Sequence, residues 1–540
     1  MSFFSALRKL SRNSPLTQRF LRHYRPYLGV RPNWSWLANN PEWIAARKKA
    51  SGGRQVLVAT GTGSNWPCSA LESLLGVALT LRGAEVRFLL CDGVLPACQE
   101  CEYLWLSEKT FAREGPQAWM CGSCHAPACD MLSPLGLPIL RYSQFLGEEN
   151  ATAPLLPDLP EHVHAGALRY FGRGSLPEGG NCERILSRYH EAARMTARMM
   201  AGMLREWKPD VAVFHHGMYV PQGVVGSVLR AAGVRVANWG PSYRKGTVLF
   251  SHGDSYHRTM IDEDPALWSD MPWPAAREAE LMAYLSSRRT GGNDWISFQA
   301  EAEQDNRAIA DRLALDFSRP VIGLLTNVVW DAQLHFRQSA FPSMLDWLFA
   351  SIEYFIGRTD LQLVIRIHPA EVLGTVPSRQ RAADEIYSRF GVLPRHIKIV
   401  GPDEKISTYA LMSLCNSALV YGTKTAIELA CTGLPVVVAG EAWSRGKGFT
   451  VDVSSPGEYR AALDRLPFPA PLSPEQVTAA RKYAYYFFFR RMIPVRSLKP
   501  LEKFAPYAVK VDRLDDLQPG ADAGLDAICD GILDGRPFVI

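Results

Sequence analysis

Residues 363–450 constrain the fold more strongly than any other part of this chain. An apolar run that begins at Leu361, LQLVIRIHP, ends at Pro369, and a second run, SALVYG, breaks at Gly422. A polar turn at residues 423–425 leads into a helix-like stretch, and a third apolar run follows Pro435. Strand, turn, helix and strand in this order predict a βαβ unit with its turn at the carboxyl edge of a parallel sheet. Ligands bind at such edges, and the N–H groups that open a helix attract anions, so we expect a phosphate pocket here.

The first half of the chain repeats the same pattern. Residues 54–60 (RQVLVAT) predict a buried strand, residues 69–81 have helical apolar spacing, and residues 86–90 predict a second strand. The turn after the first strand, GTGSNW, lacks the last glycine of a dinucleotide fingerprint because Trp66 stands there. This half is therefore expected to be an α/β domain too, without a specific nucleotide signal.

The length and the breaks in the pattern predict the domain organisation. A chain of 540 residues with 47% hydrophobic and 21% charged residues is expected to fold as two or three globular domains. A glycine-containing linker at residues 290–294 precedes a new α/β alternation. We expect an α/β protein with two Rossmann-like domains facing a cleft. The predicted segments are a basic arm (1–50), an N-terminal domain (51–295) with a cysteine-rich insertion (91–130), a C-terminal domain (296–474), and a helix that crosses back with a tail (475–540).

Charge is concentrated at the N-terminus. The overall formal charge of +5 is mild, so no nucleic-acid partner is expected. Before Glu42 the chain has no acidic residue but seven basic ones, interleaved with apolar residues: Arg8, Lys9, Arg12, Arg19, Arg22, Arg25 and Arg31. This pattern favours an arm in peripheral contact with an anionic membrane, and a solvated or domain-packing helix is the alternative. No stretch reaches the ~20 apolar residues of a spanning helix, and no signal peptide is recognisable, so a cytoplasmic protein is expected, with the inner face of the cell membrane as the place for any arm contact.

The cysteines predict a local site. Six of the eleven lie between Cys91 and Cys129, and two C-x-x-C pairs are separated by nineteen residues. This spacing is typical of zinc ribbons, so we expect one structural zinc ion bound by Cys98, Cys101, Cys121 and Cys124. An iron–sulfur cluster and unligated thiols are the alternatives. A closed four-cysteine site leaves no open position, so it is given no catalytic role.

Four motifs of the second half follow one another in a recognisable order. They are His368-Pro369, Thr423-Lys424-Thr425 with Glu428, Gly433-Leu434-Pro435-Val436-Val437, and Lys447-Gly448-Phe449-Thr450-Val451-Asp452. In these residues the chain resembles glycosyltransferases of the GT-B fold, and among them the bacterial capsule-polysaccharide biosynthesis proteins. The resemblance covers roughly residues 315–495, and it is specific for a donor domain but not for the sugar.

The resemblance implies roles for the donor-side residues. His368 would donate a hydrogen bond or proton to the departing phosphate, with Arg366 beside it because alternate strand residues share a face. Glu428 would accept hydrogen bonds from ribose hydroxyls. The alternatives are a structural role for Glu428 in its helix and a strand-capping role for His368. The other donor-binding residues implied are Pro369, Asn327, Gly422, Thr423, Lys424, Thr425 and Lys447.

The acceptor side carries a weaker signal. Related GT-B enzymes that work without a metal ion use a carboxylate of the N-terminal domain to deprotonate the acceptor hydroxyl. Asp92, which follows the second strand, is the candidate, and Asp254, His215 and His216 are the alternatives.

The function implied is transfer of a sugar from a nucleotide sugar to a surface polysaccharide or lipid-linked glycan, by metal-independent chemistry. A sugar-nucleotide 2-epimerase or a glycerophosphate-type polymer transferase of the same fold is one alternative. A non-catalytic scaffold of a polysaccharide assembly complex is another.

Overall fold

The computed structural model describes residues 31–147, 154–298, 301–331, 338–501 and 505–540. The chain forms two compact units. The first comprises Met1–Phe171, Leu176–Thr259 and Arg491–Ile540, and the second comprises Gly172–Ser175 and Met260–Arg490. The basic residues predicted to contact a membrane lie outside the described residues, except for Arg31.

The strands are short and occur throughout both units. In chain order they are β1 (Gln55–Gly61), β2 (Glu85–Leu90), β3 (Ile139–Arg141), β4 (Val211–His215), β5 (Arg235–Pro241), β6 (Thr247–His252), β7 (Val321–Leu325), β8 (Gln362–Arg366), β9 (Ile397–Val400), β10 (Ser417–Val420), β11 (Val436–Val438), β12 (Val451–Asp452), β13 (Ile493–Pro494), β14 (Leu498–Pro500) and β15 (Tyr507–Val509).

The α-helices alternate with these strands. They are α1 (Pro41–Ala50), α2 (Trp66–Leu81), α3 (Glu108–Glu114), α4 (Ala118–Leu132), α5 (Leu159–Phe171), α6 (Gly180–Glu206), α7 (Gln222–Ala231), α8 (Tyr256–Thr259), α9 (Ala275–Arg288), α10 (Asn306–Leu313), α11 (Met344–Ile356), α12 (Ala370–Leu373), α13 (Ala382–Phe390), α14 (Thr408–Ser413), α15 (Thr425–Ala430), α16 (Pro456–Asp464), α17 (Pro474–Tyr485) and α18 (Ala523–Asp534). None of the described helices is long and apolar enough to cross a membrane.

The sheet of the first unit has seven strands in the order β13-β6-β5-β4-β1-β2-β3. The strands from β5 to β3 run parallel, whereas β6 and β13 are antiparallel to their neighbours. Val56 and Val58 of β1 pack into one apolar core, and Leu57 and Ala59 pack into another. Both faces of this strand are covered, which explains why its sequence is a continuous apolar run rather than an alternating one.

The second unit contains six strands in the order β12-β11-β10-β7-β8-β9, and every pairing is parallel. All residues of β7, β8 and β10 are buried. Parallel strands place their carboxyl ends at one edge, where the connecting loops gather. The predicted α/β class with parallel sheets is therefore confirmed.

The C-terminal region differs in detail from the single predicted helix. Ser473 caps α17 by accepting a hydrogen bond from the Gln476 N–H, and Pro474 occupies the first helical position, so the predicted start is set by local sequence. The α-helix ends at Tyr485, and a π-helical segment, Tyr486–Arg491, follows it directly. From Arg491 onward the chain belongs to the first unit. The earlier division between the two units lies after Thr259, whereas the sequence predicted a boundary at residue 295.

The packing of this C-terminal segment predicts the effect of a glycine substitution. Gly524 lies in α18, and a Cβ atom added there would stand 1.8 Å from the backbone oxygen of Pro494. Because a backbone oxygen cannot rotate away, Gly524→Ala is expected to lower the free energy of unfolding by about 1–3 kcal/mol. Gly180→Ala, at the start of α6 with no atom within 4 Å of the added Cβ, is the matched control and should leave stability nearly unchanged. Urea unfolding of both variants measures the difference, and equal midpoints would contradict the packing.

Candidate functional site

Three strand ends meet at one edge of the sheet of the second unit. Leu325 of β7 is paired with Val420 of β10 on one side and with Arg366 of β8 on the other. The residues that follow these strands are Thr326-Asn327, Ile367-His368 and Tyr421-Gly422. They are the first residues of loops at the ligand-binding edge.

Hydrogen bonds tie these three ends together. Asn327 Nδ2 donates to the carbonyl oxygen of Gly422 at 2.7 Å, and the backbone N–H of His368 donates to Thr326 Oγ1 at 3.0 Å. A Cβ at Gly422 would lie 3.3 Å from the carbonyl oxygen of Glu441, which leaves little room for a side chain. The structure thus brings Asn327, Gly422 and His368, all three assigned to the donor site by sequence, to one place.

The ring of His368 is neutral, and its proton position follows from one contact. The backbone N–H of Ala370 donates to His368 Nδ1 at 3.1 Å, so Nδ1 is an acceptor and the ring proton lies on Nε2. Burial lowers the pKa of His368 to about 4, and the nearby Lys424 and Arg366 cations lower it further in the same direction. At neutral pH the ring therefore offers an Nε2–H donor without a positive charge.

The polar turn after β10 is internally bonded. The backbone N–H of Thr425 donates to Thr423 Oγ1 at 3.3 Å, and the hydroxyl of Thr423 donates to Thr425 Oγ1 at 3.2 Å. The N–H at the opening of α15 that was expected to meet an anion is thus already satisfied by Thr423. Lys424 is the N-cap of α15, and its Nζ donates to Glu428, one turn into the helix.

Glu428 is the centre of a buried charge network. Its Oε2 accepts from Arg288 Nε at 3.0 Å and from the Tyr409 hydroxyl at 2.6 Å, and its Oε1 accepts from Lys424 Nζ at 2.9 Å. Burial alone would raise the pKa of this carboxyl, but Arg288 and Lys424 outweigh it and lower the pKa to about 2. The residue predicted to contact ribose therefore holds three protein donors.

Sequence reasoning missed four members of this network, which are Arg288, Tyr409, Asp294 and Tyr284. Arg288 also donates to Asp294, whose other oxygen accepts from the Tyr284 hydroxyl at 2.7 Å. Asp294 lies in the stretch interpreted as an open linker, yet it is buried. The available signal was periodicity, because Leu281, Tyr284, Leu285 and Arg288 form one buried face of α9.

Other predicted donor-side residues have structural partners. Arg366 donates to the carbonyl oxygens of Gly401 and Glu404, so it holds the loop after β9. Lys447 Nζ donates to the carbonyl oxygen of Ile261 at 2.6 Å. Pro369 is the N-cap of α12 and ends β8 sharply.

The acceptor-side candidates lie in the first unit. Asp92 follows β2, and its carboxylate accepts from the backbone N–H and the hydroxyl of Ser143, which fixes the short turn after β3. Asp254 faces two arginines, Arg230 at 3.5 Å and Arg258 at 3.6 Å. Both carboxylates therefore have structural partners, and the choice of base stays a prediction.

The alternative histidines form a buried aromatic group. His216 has a left-handed backbone, with φ of 66°, and its ring stacks on Tyr219 at 5.2 Å. Burial lowers the pKa of His215 to about 3, so it is neutral. Glu72 of α2 accepts a hydrogen bond from Trp239 Nε1 at 2.9 Å, and burial raises the pKa of Glu72 to about 7. The sequence of α2 is mostly apolar, so it did not indicate Glu72 as a functional residue.

The cysteine segment is not a pair of knuckles. Cys121 and Cys124 lie in helix α4, and Cys98 and Cys101 lie in the loop after β2. In the described parts of the chain, no three His, Cys, Asp or Glu side chains are grouped so that they could hold one metal ion. The four cysteines nevertheless line one cavity. The zinc ion stays a prediction, without support from a preformed tetrahedral group.

Comparisons with known proteins give matches only among solved structures. No family model matches the chain, and no curated protein matches it. Thermosulfurimonas dismutans KpsC, a beta Kdo 2,4 transferase, is 11% identical over 51% of this chain and 79% of that chain, with a TM-score of 0.33. The UDP-GlcNAc 2-epimerase of Neisseria meningitidis bound to UDP-GlcNAc is 11% identical over 80% of this chain and 95% of that chain, with a TM-score of 0.27.

A third neighbour is the S. aureus MnaA–UDP structure, at 11% identity over 89% of this chain and 96% of that chain, with a TM-score of 0.28. By name, these neighbours are a Kdo transferase, a UDP-GlcNAc 2-epimerase and a protein solved with UDP. Because the identities and TM-scores are low, the function proposed below rests on the residues of this chain.

The network around Glu428 predicts a large loss of stability when its charge is removed. Glu428→Gln leaves the buried cations Arg288 and Lys424 without their shared carboxylate, and breaking a buried ion pair in this way costs about 3–5 kcal/mol. Glu353→Gln is the matched control, since Glu353 pairs with Arg389 at 2.7 Å while both side chains are half exposed. That change should cost no more than about 1 kcal/mol. Denaturant unfolding compares them, and equal losses would contradict the network.

Proposed function

We propose that this chain is a GT-B-type glycosyltransferase that moves a sugar from a nucleotide sugar to a surface polysaccharide or lipid-linked glycan. The observation that carries the proposal is the neutral ring of His368, whose Nε2–H is a donor where three parallel strands end. The motif order that resembles capsule-polysaccharide biosynthesis proteins supports the choice of substrate class.

The chemistry of glycosyl transfer explains the need for such a donor. The bond between the anomeric carbon and the phosphate oxygen breaks, and negative charge grows on the departing phosphate. A donor aimed at that oxygen stabilises the transition state more than the ground state. Since the pKa of His368 is about 4, the ring carries no second proton to give at neutral pH. We therefore assign His368 the role of hydrogen-bond donor rather than general acid.

The turn after β10 supplies the remaining groups for a diphosphate. Thr423 holds the turn through its two hydrogen bonds with Thr425, and Thr425 adds a hydroxyl. Lys424 adds a cation whose position is fixed by its 2.9 Å contact with Glu428. Glu428 acts in this proposal by positioning Lys424 instead of by binding ribose. Arg366 acts in the same indirect way, through the loop that it holds.

Transfer also requires a base for the acceptor hydroxyl. Asp92 is proposed as the base that deprotonates the acceptor hydroxyl, and a lone pair outside its two contacts with Ser143 would have to receive the proton. At the phosphate, His368 and Lys424 would stabilise the departing charge in place of a metal ion. Association with the inner face of the membrane through the basic arm is proposed for delivery of a lipid-linked acceptor.

Replacing His368 tests the donor assignment. His368→Ala is expected to lower kcat by about 10²–10³-fold, the usual cost of losing one donor to a developing oxyanion, and to leave the melting temperature and nucleotide affinity nearly unchanged. His164→Ala, which removes an exposed histidine of α5, is the control and should keep full turnover. Nucleotide release from the preferred donor measures both variants, and normal turnover in His368→Ala would contradict the assignment.

The donor itself is found by testing UDP-, GDP- and CMP-linked sugars for binding and for nucleotide release. Release that depends on an added glycan acceptor supports transfer. Conversion of the nucleotide sugar without any acceptor would identify an epimerase instead. Binding with no turnover under either condition would identify a scaffold.

A further inference from the structure

Five cysteines line a single cavity of the first unit. The cavity is partly open to solvent, and both C-x-x-C pairs line it. The cysteines are Cys91, Cys98, Cys101, Cys121 and Cys124, and none of them forms a disulfide. Gly61 and Thr62, at the end of β1, complete one wall.

The two C-x-x-C pairs reach this cavity from different elements, Cys98 and Cys101 from the loop after β2 and Cys121 and Cys124 from α4. Cys121 and Cys124 are three residues apart on α4, so they share one helix face. Glycines allow the helix to approach the strand ends. A Cβ at Gly63 would stand 2.4 Å from the carbonyl oxygen of Cys124, and one at Gly93 would stand 3.1 Å from Cys121 Cβ. The close approach of these backbones is thus built into the sequence.

Backbone N–H groups point at the sulfur atoms. The N–H of Ser64 donates to Cys124 Sγ at 3.2 Å. The N–H groups of Gly93 and Leu95 hydrogen-bond Cys91, and that of Glu100 hydrogen-bonds Cys98. Backbone N–H groups that donate to sulfur are a regular part of the second shell around metal-bound cysteine.

The arrangement distinguishes between two kinds of centre. A mononuclear zinc ion needs four sulfurs that converge on one point at about 2.3 Å from the metal. No such convergence exists among the described residues. In an iron–sulfur cluster the cysteines bind different iron atoms, so their sulfurs stand apart around the cluster. Cysteines that surround a cavity without meeting at a point match the second arrangement.

We infer that this cavity binds an iron–sulfur cluster through the thiolates of Cys98, Cys101, Cys121 and Cys124. Leu95, Met120 and the two prolines of the lining surround the cluster with apolar side chains and limit water access. The carboxylate of Glu100, the charged group of the lining, is held by the hydroxyl of Ser64 at 2.6 Å. The cluster would fasten the end of β1, the loop after β2 and helix α4 to one another.

The test uses the full-length chain, purified without oxygen and reconstituted with ferrous iron and sulfide. Iron, acid-labile sulfide and zinc are measured together with visible absorption and electron paramagnetic resonance after reduction. The wild-type chain should hold iron and sulfide in about equal amounts. Cys98→Ser and Cys121→Ser should lose most of both, while the control Cys129→Ser should retain the wild-type content, because Cys129 is on the same helix but outside the cavity lining.

Three results would overturn the inference. One zinc ion per chain without sulfide would establish a mononuclear centre. A wild-type chain that keeps neither iron nor zinc after desalting would show that the thiols are unligated, and this measurement holds even if a cysteine variant fails to fold. Equal iron loss in Cys129→Ser would show adventitious binding. None of these readouts depends on nucleotide-sugar turnover.

Discussion

The buried carboxylate of Glu428 is the interaction on which the candidate donor site depends. Its side chain is 4% exposed, and removing such an ion from water costs several kcal/mol unless the surroundings compensate. Arg288, Lys424 and Tyr409 provide that compensation through three hydrogen bonds. These donors come from α9, from the turn after β10 and from α14. One charge therefore joins α9, which lies 140 residues earlier in the chain, to two segments that are close to Glu428 in sequence.

The ends of β7, β8 and β10 show how this rigid frame yields a functional group. Pairing in register places the residues after the three strands side by side, and Asn327 and Thr326 lock them with hydrogen bonds. His368 then meets the Ala370 N–H, which decides its tautomer, while burial decides its charge. A donor held without a net charge can stabilise a departing phosphate with little reorganisation.

Apolar runs ended by Gly or Pro are local signals, and they predicted the βαβ units and the parallel pairing of their strands. The sequence did not reveal what each polar residue binds. Glu428, which the sequence predicts to contact ribose, accepts a hydrogen bond from Arg288. A buried partner from residues before 290 leaves no mark near position 428. The C-x-x-C spacing likewise indicated a metal site, but only the three-dimensional placement shows thiols around a cavity. The spacing of residues along the sequence indicates which side chains can form a site, but the distances between them depend on the folded structure.

The most direct measurement of the central claim is nitrogen NMR of histidine-labelled protein, with the His368 signal assigned from a His368→Asn variant. At neutral pH the account predicts a neutral ring protonated on Nε2, and a shift of that Nε2–H resonance when the UDP, GDP or CMP that binds is added. A protonated imidazolium, an Nδ1–H tautomer, or a resonance unchanged at saturating nucleotide would contradict it.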